Sequence, residues 1–415
     1  MIFNRIAFII ALISLSFIST IYAEMTESQS NFFIRQINHS PFNHKIEAGA
    51  MNNLGECITT YLDQSKISFD REPEPTIDGY GYLLNVIFSG FKCQYITNSG
   101  LILEVNDTNL TDFSGFPVKI NQIGTMVGIT PGVKSAQLFT WNPNKGITLI
   151  TPPPETILIS PCDMNDSNEI VGYTIERKDQ EYSFNLFLVN DQGWNTLYSL
   201  QIPTDFTEPG YVFEFLKSKA YINNQGKIAA QYWDFENLRA TIALWQKKEV
   251  ISKDITSSNS LLHYELCGFN NHGDILYRDY GMNSESNFCI WSEHQSITML
   301  NLPEPQELLS EQLHSLNSYQ ESDSEEVNLF FLAKGFNEKR EFLLEAHFLD
   351  LEKQLHIEKC YFSGEKLLDL QKHFAETFEN FSIEDLNDLG EILMIGQEKN
   401  ANKTEQNLYI ATPKN

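Results

Sequence analysis

Short apolar segments recur along this chain, and each one ends in the same kind of polar turn. The stretch "AYINNQGKIAAQYW" (220–233) has an apolar strand, polar residues, a glycine and a second apolar strand. Near-copies are "AMNNLGECITTYL", "KINQIGTMVGIT", "DMNDSNEIVGYT", "GFNNHGDILYRD" and "DLNDLGEILMIG". Asn and Asp side chains bond back to the backbone of tight turns, and glycine adopts the positive φ that closes them. The pattern therefore predicts a series of β-hairpins.

Each predicted hairpin opens on an asparagine, which we call the anchor. The anchors are Asn52, Asn121, Asn165, Asn223, Asn270, a degraded copy at Asn317, and Asn387. In the third copy, Asn168 stands where the other clear copies have glycine. Asparagine is the non-glycine residue best suited to the left-handed region. The substitution preserves the chemistry of the turn, as expected of a true repeat.

A second hairpin follows the first in most copies. It is visible in "QLFTWNPNKGITLI", "NLFLVNDQGWNTLY", "TIALWQKKEVISKDI" and "NFCIWSEHQSITML". Each unit then contains four antiparallel strands, and the shorter anchor spacings are 44 and 47 residues. A repeat of this size and content is typical of a β-propeller blade.

The two ends of the chain determine the predicted number of blades. The seventh unit ends with "NLYIATPKN" and lacks a fourth strand, whereas "NFFIRQIN" is a strand without a partner ahead of the first hairpin. Pairing them would close the ring and remove a sheet edge. We predict an all-β fold: a seven-bladed β-propeller of four-stranded antiparallel blades across 24–415, closed by the N-terminal strand completing the last blade. Short helical insertions are predicted near 303–316 and 365–378.

The first 23 residues, "MIFNRIAFIIALISLSFISTIYA", combine one arginine, an apolar run and a small residue before Glu24. This layout is typical of a secretory signal peptide, and it predicts export to the periplasm, cell surface or extracellular space. An uncleaved membrane anchor is the alternative, because the apolar run nearly reaches spanning length. We expect no membrane span in the mature chain.

The repeat unit, with "INNQGKI" and "MNDSNEIVGY" as its clearest copies, resembles the HAF-type extracellular repeat of secreted bacterial propeller-like proteins. The His-Ala-Phe triplet of that repeat is absent, and "QLF", "NLF" and "TIA" stand at its place. The resemblance implies export and a repeat fold, and it implies no defined activity.

The formal charge of −26 repels phosphate backbones, so nucleic acid and anionic membranes are poor partners. Such a charge favours solubility, and we expect a monomer.

Six cysteines follow the signal segment: Cys57, Cys93, Cys162, Cys267, Cys289 and Cys360. An even number in an exported chain permits disulfides. The register argues otherwise, because Cys57 and Cys93 fall at opposite ends of a strand pair. Cys267 and Cys289 lie on first and third strands, about 9.5 Å apart, which is too far for a bond. We predict buried thiols that fill small apolar spaces.

Trp141, Trp245 and Trp291 end third strands at matching positions. Packing between neighbouring blades explains this periodicity, with a sugar-stacking platform as the alternative. The nine histidines show no metal-ligand spacing, and the Asn/Asp turns lack the alternating carboxylates of a calcium loop. The sequence thus identifies no catalytic, cofactor-binding or metal-binding residue, and we predict no cofactor.

These observations favour an exported, non-enzymatic propeller that binds an unknown protein or glycan partner on one rim. The alternative is a propeller enzyme, a hydrolase or lyase acting on carbohydrate or peptide, with acidic residues at the channel mouth. A passive envelope component is a third possibility. Propellers host both binders and enzymes, so the side chains of the channel must decide.

The turn chemistry makes a direct prediction. Gly226→Val is expected to destabilise its blade by about 1–3 kcal/mol, because a β-branched residue resists the left-handed φ of the turn. Thermal unfolding measures the effect, and an unchanged melting temperature would contradict the hairpin assignment.

Overall fold

The computed structural model describes most of the predicted blades. The described residues are 32–37, 46–69, 76–105, 113–179, 181–203, 218–234, 239–246, 249–252, 264–280, 286–293, 295–300, 330–349, 355–364, 366–399 and 406–414. The predicted signal peptide at 1–23 and the predicted helix near 303–316 lie outside these ranges.

The described residues form seven sheets of four antiparallel strands. Blade 1 contains β2 (Ile46–Met51), β3 (Cys57–Leu62), β4 (Phe91–Ile96) and β5 (Ile102–Glu104). Blade 2 contains β6 (Phe116–Ile120), β7 (Met126–Thr130), β8 (Gln137–Asn142) and β9 (Gly146–Ile150). Blade 3 contains β10 (Thr156–Met164), β11 (Ile170–Lys178), β12 (Glu181–Asn190) and β13 (Gly193–Ile202).

The remaining blades repeat this meander. Blade 4 contains β14 (Ala220–Ile222), β15 (Lys227–Asp234), β16 (Arg239–Gln246) and β17 (Glu249–Ser252). Blade 5 contains β18 (Tyr264–Phe269), β19 (Ile275–Tyr280), β20 (Ser286–Ser292) and β21 (Gln295–Leu300). Blade 6 contains β22 (Phe330–Phe336), β23 (Phe342–Leu349), β24 (Leu355–Phe362) and β25 (Leu367–Asp369). Blade 7 contains β26 (Phe378–Leu386), β27 (Ile392–Glu398), β28 (Asn407–Pro413) and, as its outer strand, β1 (Phe32–Gln36).

The predicted closure of the ring is confirmed. β1 pairs with β28 along its whole length, from Phe32 opposite Pro413 to Gln36 opposite Tyr409. Phe32 is 3% exposed, and its ring lies 5.3 Å from that of Phe374. An N-terminal strand therefore completes the last blade and packs on it through a buried aromatic ring.

Seven anchor asparagines, with Asn337 as the anchor of blade 6, form a closed ring of hydrogen bonds at one end of the molecule. The side-chain Nδ2 of each anchor donates to the backbone oxygen of the anchor in the next blade, over 3.0–3.4 Å, and Asn387 returns to Asn52. The Oδ1 of each anchor accepts the backbone N–H four residues later, within its own turn. We call these contacts the anchor ring, and we call the end that carries them the hairpin face.

One anchor prediction is wrong. The anchor of blade 6 is Asn337 and not Asn317, which lies outside the described residues. Its turn places Arg340 at φ +63°, where the other blades have glycine or Asn168 (φ +60°). The Arg340 guanidinium forms two hydrogen bonds with the carboxylate of Asp274, at 2.8 and 3.0 Å. This ion pair to the preceding blade offsets the unfavourable backbone conformation that a non-glycine residue adopts there.

The hydrophobic core lies between the blades. Among the described residues, seven clusters of buried side chains occur, and each one joins two neighbouring blades. The third-strand tryptophans confirm the packing prediction: Trp141, Trp245 and Trp291 pack against the preceding blade. The rings of Trp141 and Tyr95 are 5.1 Å apart, as expected for two packed aromatic side chains.

The long connection between β3 and β4 contains a helix that the sequence did not predict, α1 (Ile77–Phe88). Its two internal glycines weaken the helical signal. Gly81 allows close packing on blade 3, because a Cβ there would come within 2.8 Å of the Ile157 carbonyl oxygen. This connection leaves from the end of the blade opposite the hairpin face. The helix predicted near 365–378 is shorter, α2 (Leu370–Phe374), and is preceded by strand β25.

Within the described ranges, the structure contains no helix with the length and apolarity needed to cross a membrane.

The anchor ring can be tested with one isosteric substitution. Asn121→Asp removes the Nδ2 donor that serves the Asn165 carbonyl and the Asn168 side chain, both at 3.0 Å. The Asn165 carbonyl keeps the backbone N–H of Asn168 as a second donor, so the substitution costs two hydrogen bonds of about 0.5–1.5 kcal/mol each. We expect a loss of roughly 1–3 kcal/mol in the free energy of unfolding. Asn144→Asp, at an exposed turn position, is the control. Equal denaturant midpoints for the two variants would show that the ring contributes no stability.

Candidate functional site

The candidate site is the central channel, where it opens on the hairpin face. The first strands and hairpin turns of all seven blades line a cavity of about 310 Å³. The inner wall is built by first strands that contact one another from blade to blade. Six of them carry an irregularity in register close before the anchor. Such bulges redirect side chains, and here they occur beside the channel.

A second closed ring surrounds the mouth of this channel. The residue after each anchor donates its backbone N–H to the side-chain oxygen of the corresponding residue in the next blade, over 2.7–3.3 Å. We call these seven residues the mouth ring: Asn53, Gln122, Asp166, Asn224, Asn271, Glu338 and Asp388. Every member must therefore offer a side-chain oxygen. Three members do so with a carboxylate, which places negative charge at the opening.

Below the mouth ring, two carboxylates at equivalent positions link neighbouring blades. Asp163 and Asp385 each lie two residues before an anchor. Asp163 Oδ2 accepts the backbone N–H of Ile222 in blade 4, and Asp385 Oδ2 accepts that of Met51 in blade 1, both at 3.0 Å. Burial raises the pKa of Asp163, and the positive charge of Lys119 partly opposes the shift. These acids act first as acceptors that hold the channel wall together.

Lys119 occupies the same position in blade 2 and is the one lysine among the cavity-lining residues that the structure describes. The negative charge of Asp385, followed by that of Asp163, raises the pKa of Lys119 despite its burial. Within the described part of the chain, Lys119 makes no direct ion pair, so both carboxylates act on it through space. The position two residues before the anchor thus holds an ammonium in blade 2 and carboxylates in blades 3 and 7.

A further charged cluster lies where blades 6 and 7 meet. Burial raises the pKa of Glu384, which lines the channel, and the positive charge of Lys334 partly opposes the shift. Lys334 Nζ donates to Glu345 Oε1 at 3.1 Å and to the Ile383 carbonyl at 2.9 Å. The Lys359 ammonium lies 4.7 Å from the centre of the Phe381 ring, and burial lowers its pKa. Buried ionisable groups therefore extend from the channel wall into the interface between the blades.

The cysteine prediction is confirmed. All six are free, and all except the half-buried Cys162 are buried. The register places Cys57 opposite Ile96 and Cys93 opposite Thr60, at different ends of the β3–β4 pair. Cys267 and Cys289 lie on either side of β19, as expected. No group of three or more potential metal ligands occurs among the residues that the structure describes.

The channel residues Lys119, Asp163 and Asp385 were missed by the sequence analysis, although a signal was present. In "KINQ", "DMND" and "DLND" a charged residue interrupts an apolar strand two positions before the anchor. A charge in a buried strand needs a partner or an opening to solvent. A charge at that position of the repeat therefore indicates a residue of the channel wall.

Comparisons with known proteins support the fold and nothing finer. No protein-family model matches the chain, and no curated protein matches it. A prolyl endopeptidase is similar with a TM-score of 0.50 and 8% identity, over 88% of this chain and 50% of that one. Streptogramin B lyase (TM-score 0.43, 9% identity) matches over 93% of this chain and 100% of its own. An inactive virginiamycin B lyase from Staphylococcus aureus (TM-score 0.44, 11% identity) matches over 92% and 99%.

The raised pKa of Glu384 predicts a pH-dependent stability. A carboxyl whose folded-state pKa lies above its unfolded value, about 4.3, destabilises the folded protein increasingly as the pH rises through that interval. Lys334, Glu345 and Asp385 are the charged groups that act on it. Glu384→Gln should therefore be more stable than the wild type at pH 7, and this difference should vanish below pH ~4.

Urea unfolding of both proteins between pH 3 and pH 8 measures that difference. Glu379→Gln, on the exposed side of the same strand, is the matched control and should follow the wild type. A Glu384→Gln curve parallel to that of the wild type would contradict the assignment.

Proposed function

We propose that this protein is an exported, non-enzymatic propeller that binds a protein or glycan partner on its hairpin face, as a monomer. The observation that carries the proposal is the channel mouth: a cavity of about 310 Å³ that opens among the turns of all seven blades. Concave sites of this kind are where ligands bind most often. Export is supported by residues 1–23 and by the resemblance to the HAF-type repeat.

The role of the acids favours binding over catalysis. Six carboxylates of the described residues line the cavity, and five of them accept a backbone N–H from a neighbouring blade. The five acceptors are Asp163, Asp166, Glu338, Asp385 and Asp388. The last of these accepts the backbone N–H of Glu338. The sixth, Glu384, accepts the hydroxyl of Ser382. Carboxylates that hold the ring together are poorly placed to exchange protons with a substrate, whereas a fixed polar rim suits recognition.

The face that binds can be identified by blocking one face at a time. Ser167→Cys places a thiol at an exposed turn of the hairpin face, and Val133→Cys places one in the exposed loop between β7 and β8, on the opposite face. The native thiols are largely buried, so a maleimide carrying a polyethylene glycol chain should modify the introduced cysteine selectively.

Binding of each conjugate would be measured on a glycan array and on a peptide array, with reagent-treated wild type as the control. We expect the wild type to bind members of one array, the Ser167→Cys conjugate to lose at least about 90% of that signal, and the Val133→Cys conjugate to retain it. This corresponds to at least a tenfold weaker apparent affinity. Equal effects at both positions, or no binding on either array, would refute the proposal.

One observation favours the enzyme as a second candidate. Asp163 and Glu384 line the same channel, and burial raises the pKa of both carboxyls, a property shared with general acids. Mass spectrometry of every array ligand after incubation with the protein tests this candidate. A cleaved product that disappears with Glu384→Gln would establish an enzyme, and intact ligands would support the binder.

A further inference from the structure

The third residue of each hairpin turn, two positions after the anchor, separates the blades into two groups. In blades 7, 1 and 2 this position holds Leu389, Leu54 and Ile123, which are 55%, 56% and 55% exposed. In blades 3 to 6 it holds Ser167, Gln225, His272 and Lys339. Because blades 7, 1 and 2 are consecutive in the ring, the three exposed aliphatic side chains form one arc beside the mouth. We call it the aliphatic arc.

Folding does not require aliphatic residues at this position. The backbone N–H of Leu54 donates to its anchor Oδ1 at 3.0 Å, and that of Leu389 does so at 3.1 Å. Ser167, Gln225 and Lys339 form the same bond at 3.0–3.1 Å. The same backbone hydrogen bond to the anchor therefore forms whether the side chain at this position is polar or aliphatic. Three adjacent exposed aliphatic residues on an otherwise polar rim are typical of an interaction surface.

The channel beside this arc is lined by more carboxylates than ammonium groups, and at the rim the Lys339 ammonium donates to the Leu389 carbonyl at 2.8 Å. Among the described residues, the cavity lining contains one lysine, Lys119, against six carboxylates: Asp163, Asp166, Glu338, Glu384, Asp385 and Asp388. A neutral glycan has no net charge for this excess of carboxylates to attract. A long basic side chain can enter a narrow mouth while its backbone stays on the rim, and a guanidinium matches carboxylate geometry with two parallel hydrogen bonds.

We propose that the hairpin face binds a polypeptide segment in which an arginine or lysine, flanked by apolar residues, inserts into the mouth while the flanking residues pack on the aliphatic arc. This inference rests on the proposed function and narrows the partner to a basic, apolar polypeptide. The apolar contacts supply affinity through burial, and the charge supplies orientation and rate of association.

The probe is a fluorescent heptapeptide amide with a central arginine and leucine and alanine on either side. Two matched peptides replace the arginine with neutral citrulline, or the leucines with serine. Fluorescence anisotropy measures the dissociation constants of all three peptides for the mature chain, at low and at physiological salt. We expect the arginine peptide to bind at least about tenfold more tightly than either control. Because salt screens the charges, the preference for arginine over citrulline should be smaller at the higher salt concentration.

Variants of the protein test the aliphatic arc and the acidic mouth separately. The triple substitution Leu54→Ser, Ile123→Ser and Leu389→Ser introduces the residue that blade 3 carries naturally, so the turns should be retained. It is expected to weaken arginine-peptide binding about tenfold or more while preserving the preference over citrulline. Leu149→Ser, an exposed leucine on the outer strand of blade 2, is the control and should change nothing.

The charge is tested with Glu338→Gln, which keeps the acceptor that the Asn271 N–H requires and imitates Gln122 of blade 2. This variant should reduce the preference for arginine over citrulline, and its melting temperature should match that of the wild type. If the triple variant unfolds at a lower temperature, the single Leu54→Ser substitution replaces it.

Equal binding of the arginine and citrulline peptides, or binding unaffected by the arc substitutions, would overturn the inference. A hairpin face that binds only glycans would also overturn it, yet would leave the proposed function standing. The proposed function itself would be refuted if the Ser167→Cys and Val133→Cys conjugates reduced binding equally. The two failures are therefore distinguishable.

Discussion

The structure depends on one side chain used seven times. Each anchor asparagine is buried, with at most 4% of its surface exposed. Its Oδ1 closes its own turn, and its Nδ2 holds the next blade. A buried carboxamide must satisfy both its donor and its acceptor, and this arrangement satisfies them between two blades. Neither aspartate, which has no donor when ionised, nor serine, which is shorter, could make both bonds. The hairpins and the ring are thus specified by the same atoms.

This constraint separates the positions of the turn into those that folding requires and those that it leaves free. The residue after the anchor must offer an oxygen to the mouth ring, and the fourth turn position must tolerate positive φ. The third turn position has neither obligation, since serine, glutamine, lysine and leucine all occur there. The position two before the anchor faces the channel and holds residues as different as Ala50, Lys119 and Tyr221. The third turn position can therefore vary without cost to the ring, and the aliphatic arc occupies it in three blades.

The charges of the channel follow the same logic. Desolvating a carboxylate is costly unless hydrogen bonds or opposite charge compensate. Asp163 and Asp385 receive backbone N–H groups from the next blade, and Lys119 lies in the field of both. The wall is therefore held by the groups that also make it negative. The remaining negative charge of the channel is the basis of the proposed preference for a basic segment.

The sequence by itself determined the repeat, the number of blades and, outside blade 6, the four strands of each blade, because these depend on alternating polarity and on turn chemistry that is local in the chain. It also determined the closure by β1, because the last blade lacked a fourth strand and the N-terminal strand lacked a partner. It failed at Asn337, where Arg340 in a left-handed turn is tolerated only because Asp274 of another blade binds it. It failed at α1, where Gly81 weakens the helix but allows close approach to Ile157. The tertiary structure alone decided which charges meet in the channel and which exposed aliphatic residues become neighbours. Residues far apart in the chain, such as Leu54 and Leu389, come together only when the ring closes.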